Sequence, residues 1–268
     1  MQKSITIDKN KCIHCGMCIK DCIVNCIEFD SEKIPKYVEG GNKMCVGCQH
    51  CMAICPAGAL SFGGKNPADS DPIGYGNSED LLRLIKSRRS VRSYKNQDVP
   101  SEKIAKLTEM LAYPPTGGNV DTLHFSIVGT AEKMNIIRKV TYEKVCASDS
   151  DSPVIKFAKD GYNNGKDIIY RGAPSMVAVS VDKSKAIPGC ENADPIISMS
   201  YLELYAQSLG LGTVWCDLAL TIAQIFPEVR ALLEIPENYT LNYTMLLEIP
   251  NVKYKRTVQR EPANVKII

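Results

Sequence analysis

The sequence contains no apolar run approaching the roughly 20 residues a helix needs to cross a bilayer, so no membrane span is expected. Its first residues, MQKSITIDKNKC, lack the apolar centre of a secretory signal, and a cytoplasmic protein is expected. An excess of charge of one sign is also missing. The formal net charge is +2, which gives no reason to invoke nucleic acid or an anionic membrane as partner. No G-x-G-x-x-G follows a strand-like run, which argues against a Rossmann dinucleotide site. No Ser/His/Asp or Cys/His nucleophile set is evident, so no catalytic side chain is assigned. These absences leave a globular chain of 268 residues, 44% hydrophobic and 23% charged, long enough for one large or two ordinary domains.

Cysteine, by contrast, is abundant. Of twelve cysteines, nine fall between Cys12 and Cys55, while Cys146, Cys190 and Cys216 are scattered. In a reducing compartment such a density argues for metal ligation over a disulfide framework. The nine include a repeat: Cys12, Cys15, Cys18 and Cys22 recur 33 residues later as Cys45, Cys48, Cys51 and Cys55. Each set reads C-x2-C-x2-C followed by a fourth cysteine. Three thiolates on one tight loop can occupy three corners of a cuboidal iron–sulfur core, and the fourth points away to the other core. One 4Fe-4S cluster would then take Cys12, Cys15, Cys18 and Cys55, and the other Cys45, Cys48, Cys51 and Cys22. Zinc in tetrahedral thiolate sites fits two such triplets poorly. Short apolar stretches flank the cysteines (Ser4–Ile7, Ile27–Phe29, Pro35–Val38, Ala59–Phe62), too little for an ordinary core, so the clusters must replace it.

Over about residues 1–63 the pattern resembles the bacterial two-cluster ferredoxin domain. It departs from that family at Ile23, which follows Cys22 where Pro56 follows Cys55. Proline there shapes the turn and binds no iron, so the second cluster is retained. Cys26 has no assigned corner and reads as a small buried apolar residue.

Residues 64–78 are rich in glycine, proline and small polar side chains and read as a linker. From Glu79 onward the pattern is mixed. Ser78 and Ser101 read as helix caps. His124–Gly129, Ser175–Val181 and Leu241–Ile249 read as strands. Asp194-Pro195 reads as the start of a long helix that ends at Gly210. Residues 146–172 show weak periodicity and read as a mobile lid.

Four signals in this second region suit a phosphorylated, flat-ringed cofactor. Arg88, Arg89, Ser90 and Arg92 offer cations and a hydroxyl for a phosphate. Pro115, Thr116, Gly117 and Asn119 lie in a tight loop rich in backbone amides. Leu211, Gly212 and Thr213 allow close approach to a ring. Arg256 and Arg260 stand in a basic tail. In this order the set, with GAPSMVAVSVDK at Gly172–Lys183, resembles the nitroreductase family of FMN enzymes over residues 79–268. A ferredoxin module ahead of such a domain is similar to the family's ferredoxin-fused branch.

The resemblance implies an α+β protein: a small two-cluster ferredoxin-like domain (1–63), a linker (64–78) and a nitroreductase-like FMN-binding α/β/α sandwich (79–268), assembled as a homodimer. It implies Arg88, Arg89, Ser90, Arg92, Arg256 and Arg260 around the FMN phosphate. It implies Pro115, Thr116, Gly117 and Asn119 from the partner subunit, and Leu211, Gly212 and Thr213 at the ring. The family's Gln-Pro-Trp-His is here Asp121-Thr122-Leu123-His124, which bears on the pyrimidine-edge contact. The expected activity passes electrons from two 4Fe-4S clusters to FMN and on to an electron-poor small molecule: a nitroaromatic, quinone, enone or flavin. A nicotinamide stacked on FMN needs no Rossmann motif, so ferredoxin and NAD(P)H both serve as expected donors. The alternative is a relay between protein partners that converts no metabolite.

Overall fold

A computed structural model describes residues 3–95 and 97–268. The chain divides into two compact units, Met1–Tyr75 and Gly76–Ile268.

The first unit is assembled from very short pieces. Strand β1 (Ile5–Ile7) pairs antiparallel with β4 (Leu60–Phe62), and β2 (Ile27–Phe29) with β3 (Pro35–Tyr37). Helices α1 (Met17–Lys20), α2 (Gly41–Met44) and α3 (His50–Ala53) each have four residues. The repeat in sequence is a repeat in shape. Gly16 and Gln49, 33 residues apart, both take left-handed backbone (φ 71° and 62°) and open α1 and α3. The buried cluster consists of Cys18, Cys26, Ile27, Cys45, Cys51, Met52, Leu60 and Phe62. Half of this core is sulfur from cysteine.

The second unit is a three-layer α/β/α sandwich. Helices α4 (Ser78–Ser87) and α5 (Ser101–Met110) precede β5 (Leu123–Val128). Next come α6 (Ala131–Ala147), α7 (Pro153–Asn163), β6 (Ser175–Val181), α8 (Cys190–Ser208) and β7 (Gly212–Trp215). Helices α9 (Asp217–Ile225) and α10 (Pro227–Ala231) lead into β8 (Thr240–Glu248). The sheet order is β5-β6-β8-β7, all neighbours antiparallel. Every residue of β6 is buried, because helices cover both faces. Its alternation assigns the layers: Met176 and Ala178 join Met134, Ile155 and Ile222 on one face. Val177 and Val179 join Leu107, Met199 and Leu202 on the other.

Several boundaries differ from the sequence reading. Asn77, not Ser78, caps α4, its side chain accepting from the N–H groups of Glu79 and Asp80. Pro100 precedes α5, and Ser101 is the first helical residue. Helix α8 begins a turn early, at Cys190, and carries Pro195 inside it. Proline has no N–H for the Glu191 carbonyl. That oxygen accepts instead from Asn242 Nδ2 at 3.2 Å. Residues 146–172 form no lid. They include α7, which buries Ile155 and Ala158 in the core. Asp167 then gathers Arg138 Nε, Tyr142 Oη and the N–H groups of Tyr170 and Gly172. Asp167, one of the polar residues that blurred the periodicity, is thus tied to α6 and to the turn that follows it.

Candidate functional site

In the first unit the tight turns around the left-handed residues bring the cysteines around two small cavities. Cys12, Cys15, Cys18 and Cys55 line one. Cys22, Cys45, Cys48 and Cys51 line the other, together with Cys26. The fourth cysteine of each repeat therefore faces the cavity of the other repeat. Both thiol sets are partly buried beside apolar side chains, which disfavours free thiolates. Burial, reinforced by Cys48, Cys45 and Cys18, pushes the Cys51 thiol up to about 11. Burial also raises Cys18, with Cys55 and Cys15 adding to the effect. Four thiolates in such a setting require a cationic centre. Among the described residues, no three His, Cys, Asp or Glu side chains are arranged to grip a single metal ion. Four cysteines around each cavity suit a polynuclear core that brings its own inorganic atoms.

In the second unit, β7 brings part of the predicted cofactor set together. Ser90 pairs with Thr213 in a short parallel bridge, and the Val91 N–H donates to the Thr213 carbonyl at 3.0 Å. A cleft opens there, bordered by Arg89, Leu211, Gly212, Thr213, Pro250 and Tyr254. Arg88 Nη1 donates to Glu203 Oε1 at 3.1 Å, across 115 residues of sequence, and the Thr213 hydroxyl points at the same oxygen at 3.5 Å. Glu203 is 7% exposed and Arg88 half-buried, so α8 holds Arg88 through a pair buried on the carboxylate side. Arg89 Nη2 is buried and has no partner among the described residues. A guanidinium nitrogen of that kind, at the edge of a cleft, fits an anionic oxygen such as a phosphate.

Gly212 shows how close the walls are. A Cβ there would lie 2.6 Å from Glu248 Oε1 and 2.9 Å from Val91 Cβ. Gly212→Ala is therefore expected to lower the unfolding free energy of this unit by roughly 1–3 kcal/mol, as denaturant titration would measure.

Other predicted residues stand elsewhere. Arg92 is exposed, with Nη1 on its own turn's Ser90 carbonyl at 3.3 Å. Pro115, Thr116, Gly117 and Asn119 do not border the cleft of their own chain. The Gly117 N–H donates to both Asp194 carboxylate oxygens, which fixes that loop to α8. Arg256 and Arg260 lie on the exposed segment after β8. Two site residues escaped the sequence reading, Glu203 and Glu248. Each is an acid between apolar neighbours, visible in the sequence as Leu202-Glu203-Leu204 and Leu246-Leu247-Glu248-Ile249.

Comparison with known proteins divides the chain at the same place. The model of the Nitroreductase family matches residues 85–247, and that of the 4Fe-4S dicluster domain matches residues 5–62. A Methanothermobacter thermautotrophicus protein whose name gives NADH dehydrogenase/NAD(P)H nitroreductase is 30% identical over 160 residues, spanning 59% of this chain and 71% of its own. An archaeal-type glutamate synthase [NADPH] of a Thermotoga species is 35% identical over 79 residues, 30% of this chain and only 15% of that protein. Among solved structures, a nitroreductase with bound FMN from Bacteroides fragilis aligns with TM-score 0.58 and 25% identity, covering 72% of this chain and all of that one. No helix among the described residues is long and apolar enough to cross a membrane.

Proposed function

The chain belongs to the nitroreductase family, and from that membership we propose an iron–sulfur flavoprotein oxidoreductase that uses FMN and two 4Fe-4S clusters to reduce an electron-poor small molecule. The observation that carries this reading is the pairing of two cysteine-ringed cavities in one unit with an Arg-edged cleft in a unit of nitroreductase fold. When bound, the clusters supply one-electron chemistry and FMN links it to two-electron chemistry.

The protein's own residues then have definite tasks. Cys12, Cys15, Cys18 and Cys55 would hold one cluster, and Cys22, Cys45, Cys48 and Cys51 the other. Glu203 fixes Arg88 while leaving Arg89 Nη2 with a donor to offer the FMN phosphate. Gly212 lets β7 pack tightly on Val91 and Glu248 at the border of the cleft. Arg92, Arg256 and Arg260 would complete the phosphate site, and the loop with Pro115, Thr116, Gly117 and Asn119 would come from a second copy in a homodimer. Acceptors that fit are nitroaromatics, quinones, enones and free flavins; donors are reduced ferredoxin and NAD(P)H.

The test is anaerobic purification of the full chain with iron, sulfide and flavin assays. Titration with reduced ferredoxin, NADH and NADPH follows, in the presence of a nitroaromatic or a quinone. About eight irons and one FMN per chain, with acceptor-dependent reoxidation, are expected. Zinc in place of iron, or flavin that stays reduced with every acceptor, would sink the proposal. Arg89→Ala is expected to weaken FMN binding by roughly 10- to 100-fold, the size of one charge-assisted hydrogen bond, as read by fluorescence titration of the flavin.

A further inference from the structure

The internal repeat of the first unit makes each cavity a control for the other. Positions 33 residues apart occupy equivalent places: Ile27 and Leu60 are both buried beside a cavity, and Gly16 and Gln49 share one backbone conformation. Where these counterparts differ, the polar partner belongs to the cavity of Cys22, Cys45, Cys48 and Cys51. Its Cys26 stands where the first cavity has Ala59, and its Gln49 and His50 stand where the first has Gly16 and Met17. Tyr37 borders this second cavity alone. Apart from its cysteines, the first is walled by apolar residues such as Ile7, Ile13, Pro35 and Leu60.

Two of these polar groups are held in place. The Tyr37 hydroxyl is buried, makes no hydrogen bond of full geometry among the described residues, and interacts with the thiol of Cys45. Its ring cannot swing freely, because it packs on Gly41. A Cβ at that position would lie 2.6 Å from the Cys26 carbonyl and 3.2 Å from Tyr37 Cβ. Cys26 is 1% exposed, and its Sγ lies 3.4 Å from Cys22 Sγ. The Val38 N–H donates to the Cys26 carbonyl at 3.1 Å, tying the tyrosine's strand to the cysteine.

We propose that Tyr37 and Cys26 tune the second cluster: they donate hydrogen bonds to its sulfurs that the first cluster lacks, making it the one of higher potential. The inference rests on the two-cluster reading above. Reduction adds one electron, and its charge spreads over the core and ligand sulfurs. O–H and S–H donors aimed at those sulfurs stabilise the reduced form more than the oxidised one, most strongly in a dry setting. No bond breaks and no proton leaves Tyr37 or Cys26. An electron shared between the two clusters then resides on the second, and the first remains the stronger reductant.

The experiment is potentiometric titration of the full-length, anaerobically purified protein followed by electron paramagnetic resonance, alongside iron analysis. Wild type is compared with Tyr37→Phe, Cys26→Ala and the double variant, and Cys48→Ser identifies the second cluster's signal. Each single change should lower the midpoint of that cluster alone. The double variant should raise its oxidised-to-reduced ratio at fixed potential about tenfold, equivalent to about 59 mV for a one-electron couple. Iron content should stay constant. The sign separates tuning from mere packing, because a loosened wall admits water and moves the potential upward. Unmoved or equally moved midpoints at full iron content would overturn the proposal and leave the two-cluster reading intact. Loss of iron in Cys26→Ala would make Cys26 a ligand and overturn its donor role. A wild-type protein with a single cluster would bring down the two-cluster reading, and this inference with it.

Discussion

Removing iron with a chelator under reducing conditions is expected to unfold the first unit and leave the second folded. The first unit has little else to hold it. Its strands are three residues long and its helices four. Helices that short cannot sustain themselves, and isolated strand pairs are marginal in water. The buried cluster is half cysteine, supplemented by Ile27, Met52, Leu60 and Phe62. Structural metal sites in small domains contribute on the order of 10 kcal/mol, more than this remaining apolar contact can supply. The second unit has apolar cores on both faces of its sheet and no such dependence. Hydrogen exchange followed by mass spectrometry would check this. On iron loss, the β1–β4 and β2–β3 amides should exchange at unprotected rates while β6 and β8 keep their protection. Persistent protection across Leu60–Phe62 after complete iron removal would contradict the claim that sulfur–iron bonds carry this unit.

The same dependence explains why this unit was the easier half to read. Ligand spacing is local information: C-x2-C-x2-C and its copy 33 residues on stand in the sequence itself, and Cys55 and Cys22 face the opposite cavities because the duplicated loops do. In the second unit, what was legible was also local. β6 shows as a continuous apolar run because both its faces are covered. What stayed hidden depends on partners far along the chain. The early start of α8 requires Asn242 to satisfy a carbonyl that Pro195 abandons. Arg88 is positioned by Glu203, 115 residues away in sequence. Residues 146–172 read as a lid from their weak periodicity and many polar residues, one of which is Asp167. In the fold it is an acceptor for four donors and is held below the usual carboxylate range by the Gly172 and Tyr170 N–H groups, Tyr142 and Arg138, against the opposing effect of its burial. Gly212 could be read as permissive, but its neighbours Val91 and Glu248 could not.

Glu248→Gln is expected to stabilise the second unit at pH 8 and to remove most of its pH dependence between about pH 5 and 9. Glu248 closes β8 with 0% exposure, and neither carboxylate oxygen has a partner among the described residues. Burial pushes its pKa up to about 9 from the ordinary 4.5. Nearby, Tyr94 is likewise raised, by its own burial and then by Glu248, and its hydroxyl is also unpartnered. The folded chain therefore holds a proton on Glu248 that the unfolded chain releases above about pH 4.5. Stability contributed by a raised carboxyl is greatest below the unfolded value and declines as pH rises toward the folded one, by up to about 1.4 kcal/mol per pH unit. At pH 8 the accumulated cost is roughly 3–5 kcal/mol, and at pH 5 it is under about 1 kcal/mol. Glutamine keeps the shape and carries no charge at either pH, so the gain should appear at pH 8 and nearly vanish at pH 5. The single tryptophan, Trp215 on β7, pairs with Met245 of β8 and gives a local fluorescence signal for denaturant titrations of both proteins. Parallel pH profiles for wild type and variant would show that Glu248 is ionised in the fold, with a counter-charge or water supplying what the burial denies.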